Sequence, residues 1–119
     1  MNACWTKGES SIVWRLSVDG PCLDAAQIEG LRNDLDRAIS NGARAVVIDL
    51  QRVDRLDPLG LAGLALLPQE FALTTRIVLA GLRPNVQEVA LLVHLHDVLD
   101  IYEDARAAVF DLSSPLNQS

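Results

Sequence analysis

Lysine occurs once in these 119 residues, at Lys7, and cysteine twice, at Cys4 and Cys22. Two thiols are too few for a disulfide or metal framework, and they are expected to stay reduced, as thiols do in the cytosol. Arg15, Arg32, Arg37, Arg44, Arg52, Arg55, Arg76, Arg83 and Arg106 are scattered and form no basic stripe, and the formal net charge is −6. Duplex binding draws on basic side chains facing phosphates, so nucleic acid is excluded as a partner class. The longest apolar run, 59–67, falls well short of the roughly 18 residues that a membrane span needs. Residues 1–11 lack the basic-then-apolar pattern of a secretory leader. No direct membrane insertion is expected, and the cytoplasm is the expected location. A phosphate-binding glycine loop, a Ser-His-Asp grouping and a Cys-His pair are missing too, so no catalytic residue and no cofactor is expected.

What is present suits one folded domain. Half the residues are apolar and 22% are charged, close to the roughly 25% charge of ordinary soluble domains, so wholesale disorder is excluded. The length fits a single core. The expected boundaries are 1–112 for the domain and 113–119 for a polar tail. An acidic surface favours solubility and steers towards a basic patch on a partner.

Ile12, Trp14, Leu16 and Val18 alternate with Val13, Arg15, Ser17 and Asp19, the period of a half-buried strand. Asp19-Gly20-Pro21 turns the chain. Ile28, Leu31, Leu35, Ala38 and Ile39 then share one helical face. Asp24 is placed to cap that helix, with Gln27 in a capping-box position, and Asn41-Gly42 supplies a left-handed stop. Residues 45–50 read as a strand buried on both faces. A loop over 51–58 and a helix over 59–67 follow, which Pro68 should end or kink.

Residues 76–80 make another strand. Pro84 opens a helix with Val86, Val89, Ala90 and Val93 as its stripe. A short strand over 98–102 precedes a last helix, capped by Asp104, with Ala105, Ala108, Val109 and Leu112 inward. The resulting order is β-α-β-α-β-α-β-α, with room for one extra strand before Ile12. Such alternation predicts an α/β fold around a mostly parallel sheet.

The helix at 59–67 has almost no polar side. Leu59, Leu61, Leu64, Leu66 and Leu67 share it with Ala62, Ala65, Gly60 and Gly63. A helix on a sheet needs one apolar stripe, and four helices in a small domain leave little protein to cover a second. One side is therefore expected to stay open to a partner, as contiguous apolar patches do at interaction sites. Gly60 and Gly63 either offer a smooth strip to another backbone or serve the tight turn.

Val46-Val47-Ile48-Asp49-Leu50, Asp54, Asp57, Gly60-Leu61 and Gly63-Leu64 resemble a STAS domain, the module of sulphate transporters and anti-sigma-factor antagonists. Leu79-Ala80-Gly81-Leu82 and Asp97-Val98-Leu99-Asp100-Ile101-Tyr102 resemble it as well, so the likeness covers roughly residues 12–110. It implies a STAS-like α/β fold, with a four- to five-stranded mostly parallel mixed sheet and about four helices. It also implies a non-catalytic, protein-binding regulator. Antagonists of this family bind a kinase-type anti-sigma factor, an ATPase that phosphorylates a loop serine or threonine. By position, the implied partner-binding residues are Asp57, Pro58, Leu59, Gly60, Leu61 and Gly63, with Asp24 and its turn beside them.

Pro58 stands where the family carries the phosphorylated hydroxyl, and no Ser, Thr or Tyr lies between Ser40 and Thr74. The usual switch is therefore absent. That loss strengthens the alternative of a STAS subunit of an ABC transporter of the lipid-transport type, bound to its ATPase, or of a scaffold in a signalling assembly. A homodimer is compatible with either reading.

Two weaker groupings remain. His94, His96 and Asp97 offer two or three ligands at a helix end, where metal sites use three or four. A helix-dipole role is expected there and no metal. Asp49, Asp54 and Asp57 suggest a Mg²⁺ pocket of the receiver type, but no lysine or threonine stands at the downstream strand ends.

Overall fold

Alternate residues of the central strands pack into opposite layers. A computed structural model describes residues 3–7, 13–71 and 75–113. Strands β1 (Ala3–Lys7), β2 (Val13–Val18), β4 (Ala45–Asp49), β6 (Arg76–Ala80) and β7 (Asp100–Tyr102) form one sheet in the order β1-β2-β4-β6-β7. β1 runs antiparallel to β2, and every other neighbour is parallel. β1 fills the place of the expected extra strand. Two-residue strands β3 (Cys22–Leu23) and β5 (Arg55–Leu56) pair in parallel outside that sheet.

Leu16, Val46, Ile48, Ile77 and Leu79 turn to one side and meet three helices: α1 (Ala25–Ser40), α2 (Pro58–Glu70) and α3 (Pro84–Leu92). Val13, Ala45, Val47, Val78 and Ala80 turn to the other side and meet Ala105, Ala108 and Leu112 of α4 (Ala105–Ser113). Strand β2 thus departs from the half-buried expectation: Val13 is as buried as Leu16, because α4 covers the face assigned to solvent.

Asp24 caps α1 by accepting from the Gln27 amide at 3.0 Å. The Gln27 side chain packs on Gly20. Asn41 and Gly42 close the helix, Gly42 with φ at 89°. Asp104 accepts from Ala107 N at 2.7 Å at the start of α4.

Three boundaries differ from expectation. α2 begins at Pro58 and runs through Pro68 to Glu70, where Phe71 N donates to Leu67 O at 3.1 Å. Proline removes one ladder bond there without ending the helix, because Leu64 and Leu67 stay anchored in the core. The segment after α3 is a 3₁₀ turn (Leu95–Asp97), so β7 starts only at Asp100. Val89 and Val93 are exposed while Val86 and Ala90 are buried, which narrows the α3 stripe to two residues. Ile12, the Cys4 side chain and residues 114–119 lie outside the described residues; Cys22 is a free thiol.

Candidate functional site

Pairing of β3 with β5 sets Leu23 beside Leu56, so the next residues, Asp24 and Asp57, open two neighbouring helices. Asp57 N donates to Leu23 O at 3.0 Å, which ties the two helix starts together. The Asp57 carboxylate accepts from Leu59 N at 3.1 Å, and its carbonyl accepts from Leu61 N at 2.8 Å. Both aspartates are half-buried caps whose negative charge suits the positive end of a helix. Pro58 is exposed at the first position of α2, where its missing N–H would have had no helical partner.

The glycines behind this corner face inward. A β-carbon at Gly60 would stand 2.0 Å from Leu23 O, and one at Gly63 would stand 2.8 Å from the Ile28 side chain. They let α2 lie tight on the β3–α1 junction and on α1, so they shape the corner from beneath. Of the two roles open to them in the sequence, the structure gives close approach to the chain's own backbone and side chains.

On the outer side of α2, Leu59 is 69% exposed and Leu66 48%, with the exposed Ala62 between them. Positions 59, 62 and 66 lie on one helical stripe. Leu61 and Ala65 pack on the core, and Leu64 and Leu67 are fully buried. The helix therefore shares its leucines between the domain's own core and open solvent.

The surrounding loop is braced from several sides. Pro21 O accepts from Asp54 N at 2.6 Å and from Arg55 N at 2.9 Å. Arg83 reaches Gln51 O at 2.9 Å and the Asp54 carboxylate at 3.4 Å. Arg52 pairs with Asp19 at 3.0 Å. Asp49, buried at the end of β4, accepts from Arg15 at 2.8 Å and from Gln51 N at 3.0 Å. Asp49, Asp54 and Asp57 are thus each engaged separately, in an ion pair, a salt link and a helix cap, and they form no shared cation pocket.

On the α1–α2 flank, Arg32 grips Glu70 through Nε at 2.9 Å and Nη2 at 2.7 Å. The guanidinium hydrogen bond lowers the Glu70 carboxyl below its usual range and raises Arg32.

His94, His96 and Asp97 stand at the other edge of the sheet. There a groove of about 330 Å³ is lined by Pro68, Thr75, His96, Asp97 and the first residues of β6 and β7. Sequence reasoning missed β3 and β5, since two-residue strands carry no period; the family resemblance sets the Asp24 turn beside Asp57, and the β3–β5 pairing is what holds it there. Among the described residues no helix is long and apolar enough to cross a membrane.

No curated protein sequence matches the chain. Solved structures do. An anti-sigma-factor antagonist (STAS) domain protein from Planctomyces limnophilus superposes with a TM-score of 0.77 at 20% identity, over 96% of this chain and 100% of that one. The phosphorylated form of the Bacillus cell fate determinant SpoIIAA superposes at 0.64 and 16% identity, over 92% and 98% of the two chains. The murine Solute Carrier 26 family member A9 anion transporter contains the same fold: the TM-score is 0.70 at 17% identity, over 86% of this chain and 18% of the transporter. The STAS domain sequence model matches residues 7–108, most of the chain's length, and the chain belongs to the STAS domain family.

Proposed function

We propose that this chain is a non-catalytic, cytoplasmic regulator that binds a kinase-type anti-sigma factor, in the manner of an anti-sigma-factor antagonist. The docking surface is the corner built by Asp24, Asp57 and Pro58 with the outer stripe of α2. The observation that carries this reading is the exposure of Leu59, Ala62 and Leu66 beside two acidic helix caps. An apolar stripe rimmed by charge is the pattern of an interaction site. Gly60, Leu61 and Gly63 support the stripe from behind.

Burying an exposed leucine contributes about 1.5–3 kcal/mol. Replacing Leu59 by glutamate removes that gain and buries a carboxylate against the partner. Leu59→Glu is expected to weaken the complex roughly thirty-fold or more, which corresponds to about 2 kcal/mol. The fold should be unaffected, because Leu59 touches solvent. Affinity purification from the native cell, followed by calorimetry with the captured protein, tests this. A histidine-kinase-like ATPase held by wild type and lost by Leu59→Glu supports the reading. Unchanged binding by a folded Leu59→Glu chain overturns it. Capture of an ABC-transporter ATPase would instead favour the transporter-subunit reading.

A further inference from the structure

We propose that His94, His96 and Asp97 form a surface site for a divalent d-block cation of the zinc class, independent of the docking corner. Along the chain these residues offer two or three ligands; the fold brings all three together. Their ligand atoms lie within 4.8 Å of one another. His94 Nδ1 stands 3.5 Å from one Asp97 oxygen, and His96 Nε2 stands 3.6 Å from the other. Ligands about 2.0–2.1 Å from a tetrahedral zinc are themselves about 3.3 Å apart. The two imidazoles approach different Asp97 oxygens near that spacing, and the set with one atom per residue lies within 4.8 Å, so side-chain rotation brings all three onto one ion.

The backbone that holds them is fixed by its own bonds. His94 takes the left-handed conformation, φ 58° and ψ 37°, and is the only non-glycine residue with positive φ among those described. That conformation ends α3 abruptly and starts the 3₁₀ turn, in which Asp97 N donates to His94 O at 3.0 Å and the Asp97 carboxylate comes within 3.5 Å of His94 Nδ1. Leu95, between the two histidines, is buried in the core, so the imidazoles on either side of it are held at the surface. Leu99 N and Val98 N both donate to Leu95 O at 3.0 Å and close the turn from behind. The rings lie 5.7 Å apart at a tilt of 35°, and small rotations of exposed side chains close the remaining gap.

Two imidazole nitrogens and a carboxylate oxygen suit zinc, nickel or copper better than calcium or magnesium, which prefer all-oxygen shells. Three protein ligands leave a fourth position to water, and two of the three, His96 and Asp97, also line the groove with Thr75.

The chain contains only two histidines, so imidazole NMR signals report on this site alone. Reduced, metal-free protein would be titrated with zinc chloride. Both imidazole signal sets should shift together, saturate at one equivalent and return on adding a chelator. His94→Asn, chosen because asparagine tolerates the left-handed conformation, and His96→Gln should each weaken zinc binding by at least the roughly 10–100-fold that loss of a supporting ligand contact costs. Imidazole signals that stay in place at one equivalent of zinc would overturn the proposal. Zinc affinity that is the same in both variants as in wild type would overturn it too, by assigning the metal to the thiols.

Discussion

A single added methyl group distinguishes two glycines in this chain. At Gly60 a β-carbon would meet backbone, the Leu23 carbonyl oxygen at 2.0 Å and Asp24 Cα at 2.9 Å. Neither atom can swing away as a side chain would, so α2 must lift off the β3–α1 junction. Gly60→Ala is expected to cost about 3 kcal/mol or more, at or beyond the upper end of core overpacking. Gly30, inside α1, meets nothing within 4 Å, and Gly30→Ala should stabilise by about 0.5–1 kcal/mol through helix propensity alone. Urea denaturation of the two variants reads both signs in one experiment; equal effects would refute the close-approach account of Gly60.

Tyr102 supplies a second residue-scale outcome. Burial, and then its hydrogen bond to Asp111 at 2.5 Å, push the phenol up to about 12. The neutral form is the one that the fold favours, so this contribution is full below the unfolded value of about 10. It is lost as pH rises through about 12. Tyr102 is the chain's only tyrosine, and its phenolate absorbance is therefore unmixed. The native titration should lie well above that of the urea-unfolded chain, and the Asp111→Asn variant should titrate lower than wild type.

Among elements, those with a local repeat were legible in the sequence. Five apolar positions at helical spacing announced α1, and β4 and β6 announced themselves by unbroken β-branched and aliphatic runs. β3 and β5 were not legible, because a two-residue strand has no period and is defined only by its distant partner. The open stripe of α2 was readable, since a helix with no polar side must share its leucines between core and surface. Which glycine faced which neighbour was not, because that depends on where β3 lies. The run of α2 past Pro68 escaped notice for a similar reason: a proline rule speaks of lost bonds, while Leu64 and Leu67 hold that turn down.

This last turn also carries the clamp between Glu70 and Arg32. Arg32 holds the native Glu70 carboxyl below its usual range. The stabilisation is therefore present above the unfolded carboxyl pKa and disappears as pH falls through the native one. Thermal melts of Glu70→Gln should run below wild type at neutral pH and converge with it in acid. A gap that persists undiminished in acid would mean that packing, and not charge, links α1 to α2.

At the scale of the whole molecule, the proposed docking corner carries Pro58 where a phosphorylatable hydroxyl would serve as a switch. A phosphate adds about −1.5 to −2 charges and three acceptor oxygens, enough beside Asp24 and Asp57 to repel a docked protein. Pro58 occupies an exposed first helical position and has no hydroxyl, and the nearest hydroxyls in sequence are Ser40 and Thr74. On the proposed reading, a complex made through this corner would be set by concentration and affinity, not by the partner's ATP. Incubated with its partner and ATP, the wild-type chain should stay bound and gain no phosphate over residues 41–73. Pro58→Ser restores a hydroxyl at an accessible helix start where serine is tolerated. That variant should accept phosphate from a kinase-type partner and then dissociate. Native mass spectrometry reads both the adduct and the release. ATP-driven release of the wild-type chain, or an acyl phosphate on Asp54 or Asp57, would place a different switch in the same loop.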